Sequence, residues 1–150
     1  MKILFTCLGN ICRSPLAEAI LREKATSANL DWLVSSNGTN RFHKGDAADP
    51  RTIKVGLKYG VDIRKHIARR FTFSDFQKYD LIICMAADVF DEMKEFVTDE
   101  KQLQNVIISH FDDPWYGDET DFERCFKSIE SYCDNLILEI KTKETVKIKK

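Results

Sequence analysis

Short apolar runs alternate with longer amphipathic segments along the chain, and this alternation is its main structural signal. The apolar runs have the length of buried strands and cover 2–6, 31–35, 81–85 and 106–108. Apolar residues at helical spacing are clearest near the end of the chain, at Phe122, Cys125, Phe126, Ile129, Cys133, Leu136 and Ile140. Because strands and helices alternate, we expect a single-domain, three-layer α/β fold, with a four-stranded parallel sheet and helices on both faces.

Helix boundaries follow from residues that favour helix ends. Ser14 and Pro15 suit the N-cap and the first position of the first helix. Pro50 suits the start of a second helix, which Gly60 ends. A polar segment containing glycine, 36–40, reads as the loop after the second strand. Weaker patterns predict two more helices, over 71–76 and 88–96.

Length and charge indicate one domain without a strongly charged partner. A chain of 150 residues can form one core, so we assign 1–150 to a single domain. Its 23 basic and 24 acidic residues nearly cancel, so composition indicates neither nucleic acid nor membrane as a partner. The segment from about 141 to 150 is basic, and we expect a solvated, frayed tail, with contact to an anionic surface as the alternative.

Cysteine usage indicates a reducing compartment. The five cysteines form no Cys-x-x-Cys pair and show no metal-ligand spacing with the three histidines. Together with the lack of a signal peptide or a long apolar run, this predicts a cytoplasmic protein with free thiols and no metal site.

The stretch between the first strand and the first helix carries the chemistry. Cys7 opens it, Arg13 closes it, and Gly9 lets the backbone turn. Backbone N–H groups at a helix N-terminus bind anions, and together with a guanidinium they favour the thiolate, which is the nucleophilic form of cysteine. Arg13 can hold two phosphoryl oxygens at once. This phosphate-binding loop is therefore suited to attack on phosphorus, and its binding residues are Leu8, Gly9, Asn10, Ile11, Cys12 and Ser14.

The complete stretch Cys7-Leu8-Gly9-Asn10-Ile11-Cys12-Arg13-Ser14-Pro15 resembles the signature of the low-molecular-weight protein tyrosine phosphatases. The stretch Asp113-Pro114-Trp115-Tyr116-Gly117 is similar to a second signature of the family. Shorter stretches that resemble family motifs lie at 43–45, 49–51 and 66–69. The resemblance extends over nearly the whole chain. It implies a four-stranded parallel sheet and hydrolysis of phosphotyrosine proteins, with no cofactor.

The resemblance and the residue chemistry together suggest the catalytic roles. Cys7 attacks phosphorus and forms a phosphocysteine intermediate, while Arg13 and the loop N–H groups bind the equatorial oxygens. Asp113 protonates the tyrosine oxygen and then activates water. Asp112 is the neighbouring alternative, but the family places its acid directly before the proline, which here is Pro114.

Other residues are expected to support the loop or to form the walls of the pocket. Asn10 braces the loop, the Ser14 hydroxyl donates to the Cys7 thiolate, and the resemblance gives His66 a bracing role. For a phosphotyrosine ring, an aromatic slot is needed. We expect its base and sides to be Leu8, Phe42, Trp115 and Tyr116.

Two further expectations concern Cys12 and Ala86. In the family, a cysteine at the position of Cys12 can close a reversible disulfide with the nucleophile, here Cys7. Many relatives carry aspartate where this chain has Ala86, so we expect the polar support that the family draws from that position to be absent here. The remaining cysteines lie in apolar patterns and are expected in the core, at Cys84, Cys125 and Cys133.

Three other functions are compatible with parts of this pattern. An arsenate reductase of the same fold needs two relay cysteines after the third strand, whereas Cys84 is followed by no cysteine until Cys125. An arginine phosphatase would resemble the loop but carry threonine at Ile11. A catalytically silent phosphotyrosine-binding module would be expected to lack Cys7, Arg13 or Asp113. The pattern favours a tyrosine phosphatase, which we expect to be monomeric.

Overall fold

A computed structural model describes residues 1–149. The strands are β1 (Lys2–Cys7), β2 (Leu33–Gly38), β3 (Leu81–Cys84) and β4 (Val106–Ile108). The α-helices are α1 (Arg13–Ser27), α2 (Pro50–Lys58), α3 (Asp75–Lys78), α4 (Ala87–Met93) and α5 (Glu119–Lys149). Short 3₁₀ segments cover Lys94–Phe96, Glu100–Asn105 and Pro114–Tyr116. No helix within residues 1–149 combines the length and apolarity needed to cross a membrane.

The four strands form one parallel sheet in the order β2-β1-β3-β4. The register places Cys7 beside Gly38 on one side of β1 and Thr6 beside Cys84 on the other. Since the strands are parallel, the segments after β1, β2, β3 and β4 all leave from the same edge of the sheet.

Alternating side chains of β1 pack into two separate cores. Ile3 and Phe5 belong to the core formed with α1, α2 and α5, and Leu4 belongs to the core formed with α3 and α4. Ile3, Leu4 and Phe5 are all fully buried. The predicted three-layer fold, with helices on both faces of a four-stranded parallel sheet, is confirmed.

The second strand begins and ends later than its sequence pattern predicts. The predicted strand covers 31–35, whereas β2 is Leu33–Gly38, so it leaves out 31–32 and includes 36–38 of the predicted loop over 36–40. The reason is pairing, because β2 stays in register with β1 from Lys2 to Cys7. The polar side chains of Ser36 and Asn37 are consequently buried within the sheet.

The start of the first helix also differs from its prediction. The N-cap is Cys12, whose side chain caps no N–H group, so Ser14 and Pro15 lie inside the first turn. The predicted N-cap at Ser14 is wrong, because its hydroxyl is bonded within the phosphate-binding loop.

The last helix is longer than its apolar pattern indicates. α5 continues to Lys149 and so includes most of the basic segment that sequence assigns to a frayed tail, while Lys150 lies outside the described residues. Cys84, Cys125 and Cys133 are buried, as their apolar patterns predict.

Candidate active site

The loop between β1 and α1 surrounds the Cys7 thiol with polar groups. Cys7 Sγ lies 2.9 Å from Ser14 Oγ and accepts a hydrogen bond of 3.3 Å from the Asn10 backbone N–H. Cys7 and Arg13 are each only 3% exposed, at the two ends of this loop. Both side chains line the same cavity.

Asn10 braces this loop from inside. Its φ is +59°, in the left-handed region that asparagine tolerates better than most residues. Its amide nitrogen donates to Ser14 Oγ at 2.8 Å and to Ser36 Oγ at 3.0 Å. Its amide oxygen accepts from the Arg69 backbone N–H at 3.0 Å, and its carbonyl lies 2.7 Å from His66 Nε2. Asn10 and Ser14 are completely buried, so neither lines the cavity.

A second buried network, which the sequence did not indicate, supports the loop from β2. Asn37 accepts a hydrogen bond of 2.7 Å from Thr6 Oγ1 and donates one of 3.1 Å to Asp75 Oδ2. Its carbonyl accepts from Ser14 Oγ at 3.2 Å. The Asp75 carboxylate also lies 3.4 Å from Arg69 Nη1. These bonds connect α3 to the residue before Cys7 and to the hydroxyl beside its thiol.

Gly38 is required because the phosphate-binding loop passes directly over it. A Cβ at this position would lie 2.5 Å from the Leu8 carbonyl oxygen and 2.9 Å from the Asn10 nitrogen. Both atoms belong to the backbone, so no side-chain rotation could relieve the overlap. The sequence indicated only a glycine in a loop, and the close approach comes from the pairing of Cys7 with Gly38.

We therefore expect Gly38→Ala to lower the free energy of unfolding by about 2 kcal/mol or more and to reduce phosphate binding. Urea unfolding and phosphate affinity measure the two effects. Gly45→Ala is the matched control, because Gly45 has a φ of +89° but open space around its Cβ position. The control should lose about 1 kcal/mol through backbone strain alone and keep its phosphate affinity. A Gly38→Ala variant with unchanged stability and affinity would contradict the crowding argument.

The segment after β4 brings a carboxylate to the cavity. Asp113 Oδ2 lies 3.5 Å from Arg13 Nη2, and its Oδ1 accepts from the Trp115 backbone N–H at 3.1 Å. Arg13 Nη1 also donates to the Phe111 carbonyl at 3.0 Å. Asp112 points elsewhere: its side chain is 92% exposed and lies 2.9 Å from His110 Nε2. Of the two neighbouring aspartates, only Asp113 lines the same cavity as Cys7 and Arg13.

This cavity, which we call the phosphate cavity, has a volume of about 190 Å³. Its lining is Cys7, Leu8, Gly9, Ile11, Cys12, Arg13, Asn40, His43, Asp113, Trp115 and Tyr116. Of the residues that the sequence suggests as pocket walls, Leu8, Trp115 and Tyr116 line this cavity.

Phe42 is not a wall of this cavity, so that expectation is corrected. Phe42 is 78% exposed and lines a neighbouring groove on the other side of Asn40. His43 takes the position instead: its ring lies 5.6 Å from the Trp115 ring, and its Nδ1 lies 3.1 Å from Asp46 Oδ2. Sequence offered no way to choose between two adjacent ring-bearing residues in a loop.

Neither Cys12 nor Ala86 adds a charged group to the site. All five cysteines are free thiols, and burial raises the pKa of Cys12 to about 12. Ala86 is buried in the apolar core beside α3 and α4, and α4 begins without a side-chain cap. Within the described part of the chain, no group of three His, Cys, Asp or Glu side chains could hold a metal ion.

The start of α2 is connected to the phosphate-binding loop through Asp49. Its backbone N–H donates to the Ile11 carbonyl at 2.9 Å, and its side chain caps α2 by accepting from the Arg51 N–H at 2.8 Å. Burial by itself would raise the pKa of Asp49, but hydrogen bonds from the Arg51 side chain and backbone outweigh it and lower that pKa below its ordinary value. The ionised carboxylate therefore stabilises the folded protein.

A lowered pKa gives a stabilisation that is present above the unfolded-state pKa and is lost as pH falls through the folded-state value. We expect Asp49→Asn to lower the free energy of unfolding by about 1 kcal/mol at pH 7. The difference from the wild type should disappear at a pH below the lowered pKa of Asp49. Urea unfolding of both proteins across this pH range measures it. A difference that stays constant with pH would show that the charge of Asp49 is not responsible.

Comparison with known proteins agrees with this geometry. The sequence matches the family model described as low molecular weight phosphotyrosine protein phosphatase over residues 2–147. A protein of that name from Dictyostelium discoideum is 33% identical, over 94% of this chain and 94% of its own length. Another from Schizosaccharomyces pombe is 32% identical, over 93% of this chain and 97% of its own length.

Solved structures show the same fold. The crystal structure of a protein tyrosine phosphatase from Entamoeba histolytica, with Hepes in its active site, superimposes with a TM-score of 0.89 at 34% identity. It covers 96% of this chain and 99% of its own. YfkJ from Bacillus subtilis gives a TM-score of 0.87 at 26% identity, and the match covers 95% of this chain and 96% of YfkJ. The chain therefore belongs to the low molecular weight phosphotyrosine protein phosphatase family.

Proposed function

We propose that this protein is a protein tyrosine phosphatase that hydrolyses phosphotyrosine monoesters through a phosphocysteine intermediate. The observation that carries the proposal is the phosphate cavity, which Cys7, Arg13 and Asp113 line together. A nucleophile, an anion clamp and an acid are what cleavage of a phosphate monoester through a thiol requires. The family relatives, which are named as phosphotyrosine phosphatases, support the same assignment.

In the first step, the Cys7 thiolate attacks phosphorus and the S–P bond forms while the bond from phosphorus to the tyrosine oxygen breaks. Asp113 gives its proton to the departing phenolic oxygen. Arg13 binds the equatorial oxygens, and its contact with the Phe111 carbonyl holds the guanidinium at the cavity. The Asn10 N–H donates to the sulfur, and when Cys7 is a thiolate the single Ser14 hydroxyl proton turns from the Asn37 carbonyl to the sulfur, so both groups stabilise the anion.

In the second step, the Asp113 carboxylate takes a proton from water, and the water oxygen attacks the phosphocysteine. The new P–O bond forms while the S–P bond breaks, which releases inorganic phosphate and restores the Cys7 thiolate. Asp113 is again protonated, so the cycle closes without an external oxidant, reductant or metal ion. The same carboxylate serves as acid and then as base.

The walls of the phosphate cavity favour an aryl phosphate over an alkyl phosphate. Trp115, Tyr116 and His43 surround its mouth, and Leu8 and Ile11 add apolar surface. An aromatic ring between such walls carries its phosphate to the sulfur at the base, whereas the shorter side chain of phosphoserine does not reach as far. We therefore propose phosphotyrosine-containing proteins as the partners.

The test is hydrolysis of para-nitrophenyl phosphate and of a phosphotyrosine peptide, under reducing conditions with a chelator present. A phosphoserine peptide of the same sequence is the matched control and should remain intact. Phosphoarginine, as a third substrate, distinguishes an arginine phosphatase. No hydrolysis of either aryl phosphate by the reduced protein would refute the proposal.

Arsenate reduction has less support from the site. The two cysteines available for a relay, Cys84 and Cys125, are both buried, and burial raises the pKa of each to about 12. A relay needs thiolates that can attack a sulfur in turn, which such thiols do not readily form.

A further inference from the structure

The side chain of Arg51 spans two segments that carry the proposed chemistry. Its Nη1 donates to the Trp115 carbonyl at 3.0 Å, in the segment that contains Asp113. Its Nε and Nη2 hold the two carboxylate oxygens of Asp49 at 3.1 Å and 3.0 Å. The guanidinium also lies 4.5 Å from the centre of the Phe122 ring. One planar group therefore contacts the start of α2, residues 113–115 after β4, which we call the acid segment, and the start of α5.

The ion pair of Arg51 with Asp49 forms a bridge between the phosphate-binding loop and the segment that contains Asp113. On one side, the Asp49 N–H is bonded to the Ile11 carbonyl in the phosphate-binding loop. On the other, Arg51 holds the Trp115 carbonyl, and the Trp115 N–H donates to Asp113 Oδ1 at 3.1 Å. These hydrogen bonds, joined covalently through Asp49 and through the Trp115 backbone, connect the phosphate-binding loop to the carboxylate of Asp113.

We propose that Arg51 is a positioning residue, which sets the Asp113 carboxylate relative to the phosphate-binding loop for protonation of the leaving group. This inference rests on the proposed function. Arg51 does not line the phosphate cavity and does not touch the substrate. Its effect is exerted through the Trp115 backbone.

The geometry of the guanidinium explains why arginine is needed. It holds a carboxylate with two parallel hydrogen bonds and still has a third N–H to donate to a carbonyl. Lysine has one ammonium group, which cannot reproduce the planar fork and the third contact together. Without Arg51, the Asp113 carboxylate is still present, but the acid segment loses its hydrogen bond to α2 and can move relative to Cys7. General acid catalysis depends strongly on such distances.

The chain contains a matched control for this side chain. Arg64 holds Asp62 with the same spacing in sequence and the same fork, at 2.9 Å and 2.8 Å. The Arg64 N–H is also bonded to the Asp62 carboxylate, as in the Asp49 pair. Arg64 is exposed, and its side-chain hydrogen bonds within the described part of the chain go to Asp62 and not to the acid segment. Its removal deletes an equivalent ion pair without touching the proposed bridge.

The experiment compares two aryl phosphates in the wild type, Arg51→Met, Arg51→Lys and Arg64→Met. Phenyl phosphate has a poor leaving group that needs a proton, and 2,4-dinitrophenyl phosphate has a good one that does not. We expect kcat/KM for phenyl phosphate to fall about tenfold in both Arg51 variants, with less than about a twofold change for the dinitrophenyl ester. Arg64→Met should match the wild type with both substrates.

Equal losses on the two substrates, or no loss on either, would overturn the positioning role. The same substrate-dependent loss in Arg64→Met would also overturn the positioning role, because it would show that removing an ion pair elsewhere on the surface has the same effect on catalysis. Circular dichroism and thermal unfolding check that the variants are folded, and Arg51→Lys retains the charge and the stem if Arg51→Met does not fold. Failure of the proposed function is recognised separately, since the wild type would then hydrolyse neither ester.

Discussion

Replacing Cys7 with serine is expected to abolish turnover while leaving phosphate binding in place. The thiolate is the nucleophile in the proposed mechanism, and a serine hydroxyl at the same point is not ionised and attacks phosphorus poorly. The loop N–H groups and Arg13 remain, so the anion still binds. We expect kcat for para-nitrophenyl phosphate to fall by at least about four orders of magnitude. Steady-state kinetics measure the loss, and isothermal titration calorimetry with phosphate measures binding.

Cys133→Ala is the matched control for this variant. Cys133 is a buried thiol on α5 and belongs to the apolar core. Its removal should reduce stability without reducing kcat, because it makes no contact with the phosphate cavity. A Cys7→Ser protein that keeps more than about a hundredth of wild-type activity would mean that the nucleophile lies elsewhere.

The second large effect is expected at Asp113. Asp113→Asn keeps the shape of the side chain and its contact with the Trp115 N–H but cannot supply a proton. We expect kcat/KM for a phosphotyrosine peptide to fall by about 10²- to 10³-fold. The loss should be much smaller for 2,4-dinitrophenyl phosphate, whose leaving group needs no acid. The ratio of kcat/KM for the two substrates, measured in each variant, separates loss of the acid from a general loss of structure.

Asp112→Asn is the control that the chain itself offers. Its side chain is exposed and paired with His110, so it should show wild-type kinetics with both substrates. If Asp112→Asn instead shows the substrate-dependent loss, the assignment of the acid must be exchanged between the two neighbours. This comparison answers the question that the sequence leaves open at this pair of aspartates.

The two expected effects also show which parts of the site can be predicted from sequence. Cys7 and Arg13 lie in one continuous stretch between a strand and a helix, so their proximity follows from local structure alone. Asp113 is a hundred positions from Arg13, and only its place after a parallel strand predicts that it reaches the same edge. Both arguments need no knowledge of side-chain packing.

Contacts that depend on packing between distant segments were not predictable in this way. His43, rather than Phe42, faces Trp115, because the loop after β2 folds across Gly9, where His43 Cδ2 lies 2.9 Å from the position of a Cβ. Nothing in the hydrophobic pattern distinguishes these two neighbours. The same holds for Asn37, which the pattern assigns to a polar loop although it is completely buried in β2.

The sequence by itself determined the layer architecture and placed the stretch from Cys7 to Arg13 between the first strand and the first helix. These features depend on periodicity and on short-range spacing, which are properties of a linear chain. Only the tertiary structure decided the end of β2, the need for Gly38, the buried support from Asn37 and Asp75, and the bridge made by Arg51. Each of these depends on the register of two strands or on side chains far apart in sequence, and such contacts exist only once the sheet and its helices have packed.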